Sequence, residues 1–124
     1  MSEGEPRGFL AEEARELVAG TEGGRAAVID LRGEDDFSEG HIPSATRIEE
    51  PTQGDLEEVS RGGAEVEVVL LVCDDGERSG ECARELACEG REVGWLEGGM
   101  SAWPGPVQPR PDIEFEGPRK QTLY

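Results

Sequence analysis

Cys73, Asp74, Asp75, Gly76, Glu77, Arg78 and Ser79 follow one another without a break. A thiol, an arginine, a serine and a glycine within seven residues can support nucleophilic chemistry. The thiolate is the reactive form of cysteine, and it gains from converging main-chain N–H groups and from the positive end of a helix dipole. The flanking sequence predicts both. Val68-Val69-Leu70-Leu71-Val72 is an unbroken apolar run, the pattern of a strand buried on both faces. A helical pattern runs from Gly80 to Glu89. Strand, short polar loop and helix together aim amides at one point, and Cys73 stands where the loop begins.

The other loop residues divide by role. Gly76 supplies a backbone angle that other residues avoid. Ser79 either caps the helix or donates to the sulfur. Arg78 either holds an anionic substrate or pins the loop through a carboxylate. Asp74, Asp75 and Glu77 make the loop net negative. Like charge disfavours a thiolate and an anionic substrate, each exposed charge costing about 1 kcal/mol or less in water.

Three stretches then resemble one known family, the single-domain rhodaneses, which are sulfurtransferases. Cys73-x-x-Gly76-x-Arg78-Ser79 is similar to their active-site loop. Val28-Ile29-Asp30-Leu31-Arg32, Asp36-Phe37 and Gly40-His41-Ile42-Pro43-Ser44-Ala45 resemble a second family stretch. Leu96-Glu97-Gly98-Gly99-Met100-Ser101-Ala102-Trp103 resembles a third. In the family's order and spacing, they cover roughly residues 8 to 104. Asp36 stands where the family more often has glutamate, and Ser44 where it more often has glycine.

The resemblance implies a rhodanese-like α/β fold: a five-stranded, mainly parallel sheet with helices on both faces. It implies transfer of a sulfane sulfur from a donor, thiosulfate or a protein or small-molecule persulfide, to a thiol, cyanide or protein acceptor. Cys73 would carry the sulfur as a persulfide, with residues 74 to 79 as the binding loop. Asp30 and Arg32 match the family's Asp-x-Arg and would fix neighbouring turns by ion pairing. His41 would either act as a base for Cys73 or anchor a turn. The acidic loop makes thiosulfate an awkward donor and favours a neutral or protein-borne persulfide, such as one on a sulfur-carrier protein.

Two rival functions stay in view. Cysteine phosphatases and arsenate reductases share the strand-loop-helix plan, but phosphatases resemble Cys, five residues, Arg, whereas four residues separate Cys73 from Arg78. The shorter loop fits a single sulfur better than a phosphoryl group. A non-catalytic binding or regulatory module is the other rival; the acidic loop argues for it and the intact cysteine against it.

Length and composition set the frame. At 124 residues the chain suggests one domain with one modest core. The formal charge is −17, and Lys120 is the only lysine beside eleven arginines. Such a surface repels nucleic acid and anionic membranes. Acids so evenly spread fit a salt-rich cytoplasm better than a docking face for a basic partner. The polar N-terminus lacks a signal-peptide layout, and no apolar run spans a membrane, so a cytoplasmic location is expected. Three cysteines, Cys73, Cys82 and Cys88, argue against a disulfide framework. One histidine and no zinc-ligand spacing argue against a metal, and no cofactor is expected. Cys82 falls on the helix's apolar stripe, and Cys88 points away from it.

The elements that must position Cys73 alternate along the chain. Residues 1–6 read as a loose arm, 7–104 as the domain and 105–124 as a proline-rich tail. Gly8-Phe9 predicts a short edge strand, and Leu10 to Ala19 an amphipathic helix stopped by Gly20. Strands are expected over Ala26–Asp30, Ala45–Ile48, Val66–Val72 and Glu92–Leu96. Helices are expected over Glu34–Glu39, from Pro51 to the Gly62-Gly63 stop, and from Glu81 to Glu89, stopped by Gly90. Gly98-Gly99 reads as a turn with Trp95 and Trp103 packed around it. In a parallel sheet of this kind the ligand sits at the strand C-termini, where Cys73 falls.

Overall fold

The computed structural model describes residues 6–18, 26–43, 45–61, 66–87, 92–105 and 107. Strand and helix alternate through β1 (Arg7–Phe9), α1 (Ala11–Val18), β2 (Ala26–Asp30), α2 (Glu34–Glu39), β3 (Thr46–Arg47), α3 (Gln53–Ser60), β4 (Val68–Val72), α4 (Glu77–Leu86), β5 (Glu92–Leu96) and α5 (Gly99–Ala102). The five strands form one sheet in the order β1-β5-β4-β2-β3. Every pairing is parallel.

The apolar run of β4 explains its central place. All five of its residues are buried. Successive side chains point to opposite faces. Val68, Leu70 and Val72 join a core with Phe9, Ala14, Val28, Ile42 and Leu96, covered by Leu17 and Val18 of α1 and Met100 of α5. Val69, Leu71 and Cys73 join the opposite core with Ile29, Leu31, Leu56, Ala83 and Val93, under α3 and α4. Each fully buried leucine contributes roughly 1.5–3 kcal/mol by leaving water. The same alternation turns Cys73 toward the α4 face.

Register then sets the neighbours of the cysteine. Asp30 lies opposite Val72, and the Leu31 amide donates to the Val72 carbonyl at 2.8 Å. The carboxyl ends of β2 and β4 therefore finish side by side.

Several boundaries differ from those the sequence predicts. The helix behind the cysteine starts at Glu77, not Gly80, because Gly76 takes φ 95° and serves as its N-cap. It ends at Leu86; Cys88 and Gly90 lie outside the described residues, as do Gly20, Ser44, Gly62-Gly63, the arm 1–5 and the tail from 108 on. Pro51 does not open α3. Thr52 caps that helix, its hydroxyl accepting from the Asp55 amide while the Asp55 carboxylate takes the Thr52 amide. That reciprocal pair outcompetes proline as a helix start. β4 begins at Val68 rather than Val66. The residues after Gly98 form α5 rather than a simple turn. Trp95 and Trp103 sit in different cores, one against the α4 face and the other on the α5 face. No helix among the described residues is long and apolar enough to cross a membrane.

Candidate active site

Cys73 is 5 % exposed, and its sulfur faces the loop that follows it. Two main-chain amides reach Sγ: Gly76 N–H at 3.1 Å and Ser79 N–H at 3.4 Å. The thiol can donate to Ser79 Oγ at 3.3 Å, while that hydroxyl donates to the Gly76 carbonyl at 3.3 Å. The left-handed turn at Gly76 aims its amide back at the sulfur, and placing Ser79 inside the first turn of α4 aims the second. With Gly76 as N-cap, Ser79 is a partner of the sulfur and not a helix cap. Two donors and a hydroxyl at the start of a ten-residue helix favour negative charge on sulfur.

The ring of donors is smaller than the loop length suggests. Glu77 N–H donates to Asp75 Oδ1 at 3.0 Å, and the same oxygen lies 3.9 Å from Sγ. Asp75 therefore takes an amide of the helix start and sets a carboxylate beside the sulfur. Asp74 instead acts on Arg32. Burial tends to lower the Arg32 guanidinium's pKa, but the hydrogen-bonded Asp30 and the charges of Asp30, Asp74 and Asp36 raise it above the usual arginine value.

The loop is held from beneath by α5. Met100 N–H donates to the Cys73 carbonyl at 2.9 Å, and Ser101 N–H to the Asp74 carbonyl at 3.1 Å. Gly99, at φ 61°, makes the approach possible: a Cβ there would lie 2.4 Å from the Asp74 carbonyl oxygen. From the side, Arg78 Nη1 donates to the Leu31 carbonyl at 2.9 Å, and Nη2 donates to the Glu49 carbonyl. Arg78 thus pins the loop through main-chain carbonyls rather than through a carboxylate. Both terminal nitrogens are directed at the β2 and β3 exits rather than at the sulfur.

Asp30 and Arg32 form a buried ion pair. Arg32 Nε and Nη2 donate to the Asp30 carboxylate at 3.0 and 2.9 Å, and Nη2 also donates to the Gly40 carbonyl at 2.7 Å. This ties the end of β2 to the end of α2, one residue from the carbonyl that Arg78 holds. His41 is stacked on Phe37, ring centroids 3.8 Å apart, with its Nδ1 2.8 Å from the Phe37 carbonyl. Since a carbonyl only accepts, Nδ1 carries the proton. His41 anchors the α2 turn; its hydrogen bond runs to Phe37 and not to Cys73. Val107 packs on the neighbouring Gly40, where an added Cβ would meet it at 3.2 Å.

Cys82 sits two residues past Gly80, half-buried in a cleft of 330 Å³ lined by Glu49, Glu50, Pro51, Arg78, Glu81 and Glu85. Burial, then the Glu85 charge, pushes its thiol pKa up, against a smaller opposing pull from Arg78. No cluster of three or more metal-ligating side chains occurs among the described residues.

The parts that sequence reading did not identify are mostly main chain. The amides of Met100 and Ser101 and the carbonyls of Leu31 and Glu49 carry no side-chain signature. Gly99 was visible as half of a glycine pair, but its close approach to Asp74 depends on the tertiary fold.

Comparison with known proteins agrees on fold and family. The family model described as "Rhodanese-like domain" matches residues 13–105. A protein of Bacillus subtilis named "Putative sulfurtransferase YtwF" is 31% identical over 83 residues, covering 67% of this chain and 78% of its own. Among solved structures, a rhodanese-like domain protein from Staphylococcus aureus superposes with TM-score 0.61 at 22% identity, covering 85% of this chain and 99% of its own. A rhodanese-related protein from Thermoplasma volcanium gives 0.60 at 22%, covering 82% and 96%.

Proposed function

The chain belongs to the rhodanese-like domain family, and from that premise we propose that it is a sulfurtransferase working through a persulfide on Cys73. In the loading half, the Cys73 thiolate attacks the sulfane sulfur of a donor. The Sγ–S bond forms as the bond from that sulfur to the rest of the donor breaks, and the leaving group departs with the electron pair. In the unloading half, an acceptor thiolate or cyanide attacks the outer sulfur and Sγ leaves as thiolate. No net oxidation occurs in either half. Thiols, cyanide and a sulfur-carrier protein are the acceptors that fit this chemistry. A cytoplasmic setting suits it, since thiols stay reduced there.

The observation that carries the reading is the pair of amides, Gly76 N–H and Ser79 N–H, converging on Sγ at 3.1 and 3.4 Å. They stabilise the thiolate before attack and again when it leaves. Arg78 supports sulfur over phosphoryl transfer. Both of its terminal nitrogens are held on the Leu31 and Glu49 carbonyls, away from the sulfur, which is not where a phosphoryl-binding fork would stand. Intact-mass measurement after incubation with a sulfur donor tests the proposal. A gain of one sulfur in the wild-type chain, absent in Cys73→Ser, is expected. No gain with thiosulfate or with any persulfide donor makes the chain a binding module instead.

A further inference from the structure

We infer that Asp75 is the specificity-determining residue of this site, turning it away from anionic donors such as thiosulfate and toward sulfane-sulfur donors that carry no net negative charge. The inference rests on the sulfur-transfer reading above and narrows its substrate class. Among the described residues, four groups are hydrogen-bonded to Sγ: the Gly76 and Ser79 amides, the Ser79 hydroxyl and Asp75 Oδ1. Only Asp75 is charged. Its Oδ1 lies 3.9 Å from Sγ, held there by the Glu77 amide at 3.0 Å.

Two further loop charges have partners of their own. Asp74 works on Arg32. Arg78, the cation that an anionic donor would need, is bound to the Leu31 and Glu49 carbonyls. Beside the nucleophile an approaching donor therefore meets one fixed carboxylate, while the loop's own guanidinium is drawn toward the Leu31 and Glu49 carbonyls. Thiosulfate brings a dianion and releases sulfite, another dianion, so repulsion from Asp75 persists through the transition state. A persulfide with a neighbouring ammonium group, such as cysteamine persulfide, brings a compensating cation and releases an aminothiol. In both cases the thiolate displaces the leaving group from the sulfane sulfur, and only the charge differs.

The test uses the full chain and three probes of graded charge: thiosulfate, methanethiosulfonate and cysteamine persulfide. Loading of Cys73 is followed by quenched intact-mass measurement at low salt, with Cys73→Ser as the blank. Asp75→Asn keeps an acceptor oxygen for the Glu77 amide while removing the charge. It is expected to raise the ratio of thiosulfate to cysteamine persulfide loading rates about tenfold, and that of the monoanion about threefold. Glu81→Gln, an exposed acid of α4 outside the loop, is expected to change these ratios less than twofold. The inference is overturned if Asp75→Asn leaves the ratios within twofold, speeds or slows all three probes alike, or does no more than Glu81→Gln. If none of the three probes loads the wild-type chain, the proposed function falls and this inference with it. Loading with unchanged ratios removes the inference alone.

Discussion

Cys73 precedes α4 and Cys82 lies on its body, both on the same face of the sheet, yet their surroundings are inverted. Cys73 is 5 % exposed yet receives two amide donors. Cys82 is more open and lines a cleft with four glutamates, where burial and Glu85 push its thiol pKa up. Exposure alone would favour Cys82 over Cys73, the cysteine proposed to carry sulfur. What distinguishes them is the backbone: after Cys73 the chain turns left-handed at Gly76 and points N–H groups at the sulfur, whereas Cys82 sits on the body of α4, whose amides are already engaged in the helix. A helix start can stabilise sulfur only where its free amides converge.

The sharpest way to break this comparison is to exchange the cysteines' fates. Cys73→Ser is expected to abolish persulfide loading, by at least about a thousandfold, while Cys82→Ser keeps it within about twofold. Equal losses in both, read by intact mass, would erase the distinction. Next in size comes Gly99→Ala. Its Cβ would strike the Asp74 carbonyl at 2.4 Å in a backbone conformation that alanine resists. A loss of about 2–3 kcal/mol in denaturant titration is expected, with sulfur loading falling further than a global loss of fold explains. Unchanged stability would mean that α5 does not brace the loop.

Arg78→Ala joins the two regions, since Arg78 both pins the loop and lines the Cys82 cleft. It removes hydrogen bonds to two carbonyls and should cost about 1–3 kcal/mol. Removing the one arginine that favours the Cys82 thiolate should also slow alkylation of Cys82. Faster alkylation in a still-folded variant would contradict that electrostatic picture. The smallest effect concerns pH. The Cys82 pKa is raised in the folded chain, so its contribution to stability is complete below the unfolded thiol's pKa and is lost as pH rises through the folded value. Cys82→Ala should therefore lose stability less steeply than wild type on the alkaline side, and an identical slope would argue against the raised pKa.

Much of this was legible in the chain before folding. The apolar run 68–72 marks a buried strand because no residue in it tolerates a wet face. The alternation of strand and helix patterns marks a parallel sheet, because parallel neighbours require crossovers. The types and spacing of Cys73, Gly76, Arg78 and Ser79, with the family resemblance of their motif, mark them as a candidate site. The family motifs around Asp30 and Gly98 fixed which fold those patterns build.

Tertiary structure decided the rest, and the reason is the same each time. A hydrogen bond from the main chain leaves no trace in residue type, so the two amides on Sγ, and the Met100 and Ser101 amides behind the loop, emerge only once the strands are in register. Spacing placed three acids in the loop without ranking them; folding put Asp75 beside the sulfur, while the Asp74 charge adds to those that raise the Arg32 pKa. For Arg78 the sequence offered a substrate or a carboxylate, and the packed chain presented two carbonyls instead. Composition and periodicity choose which elements form, while the direction in which a side chain or an amide points depends on what has packed next to it.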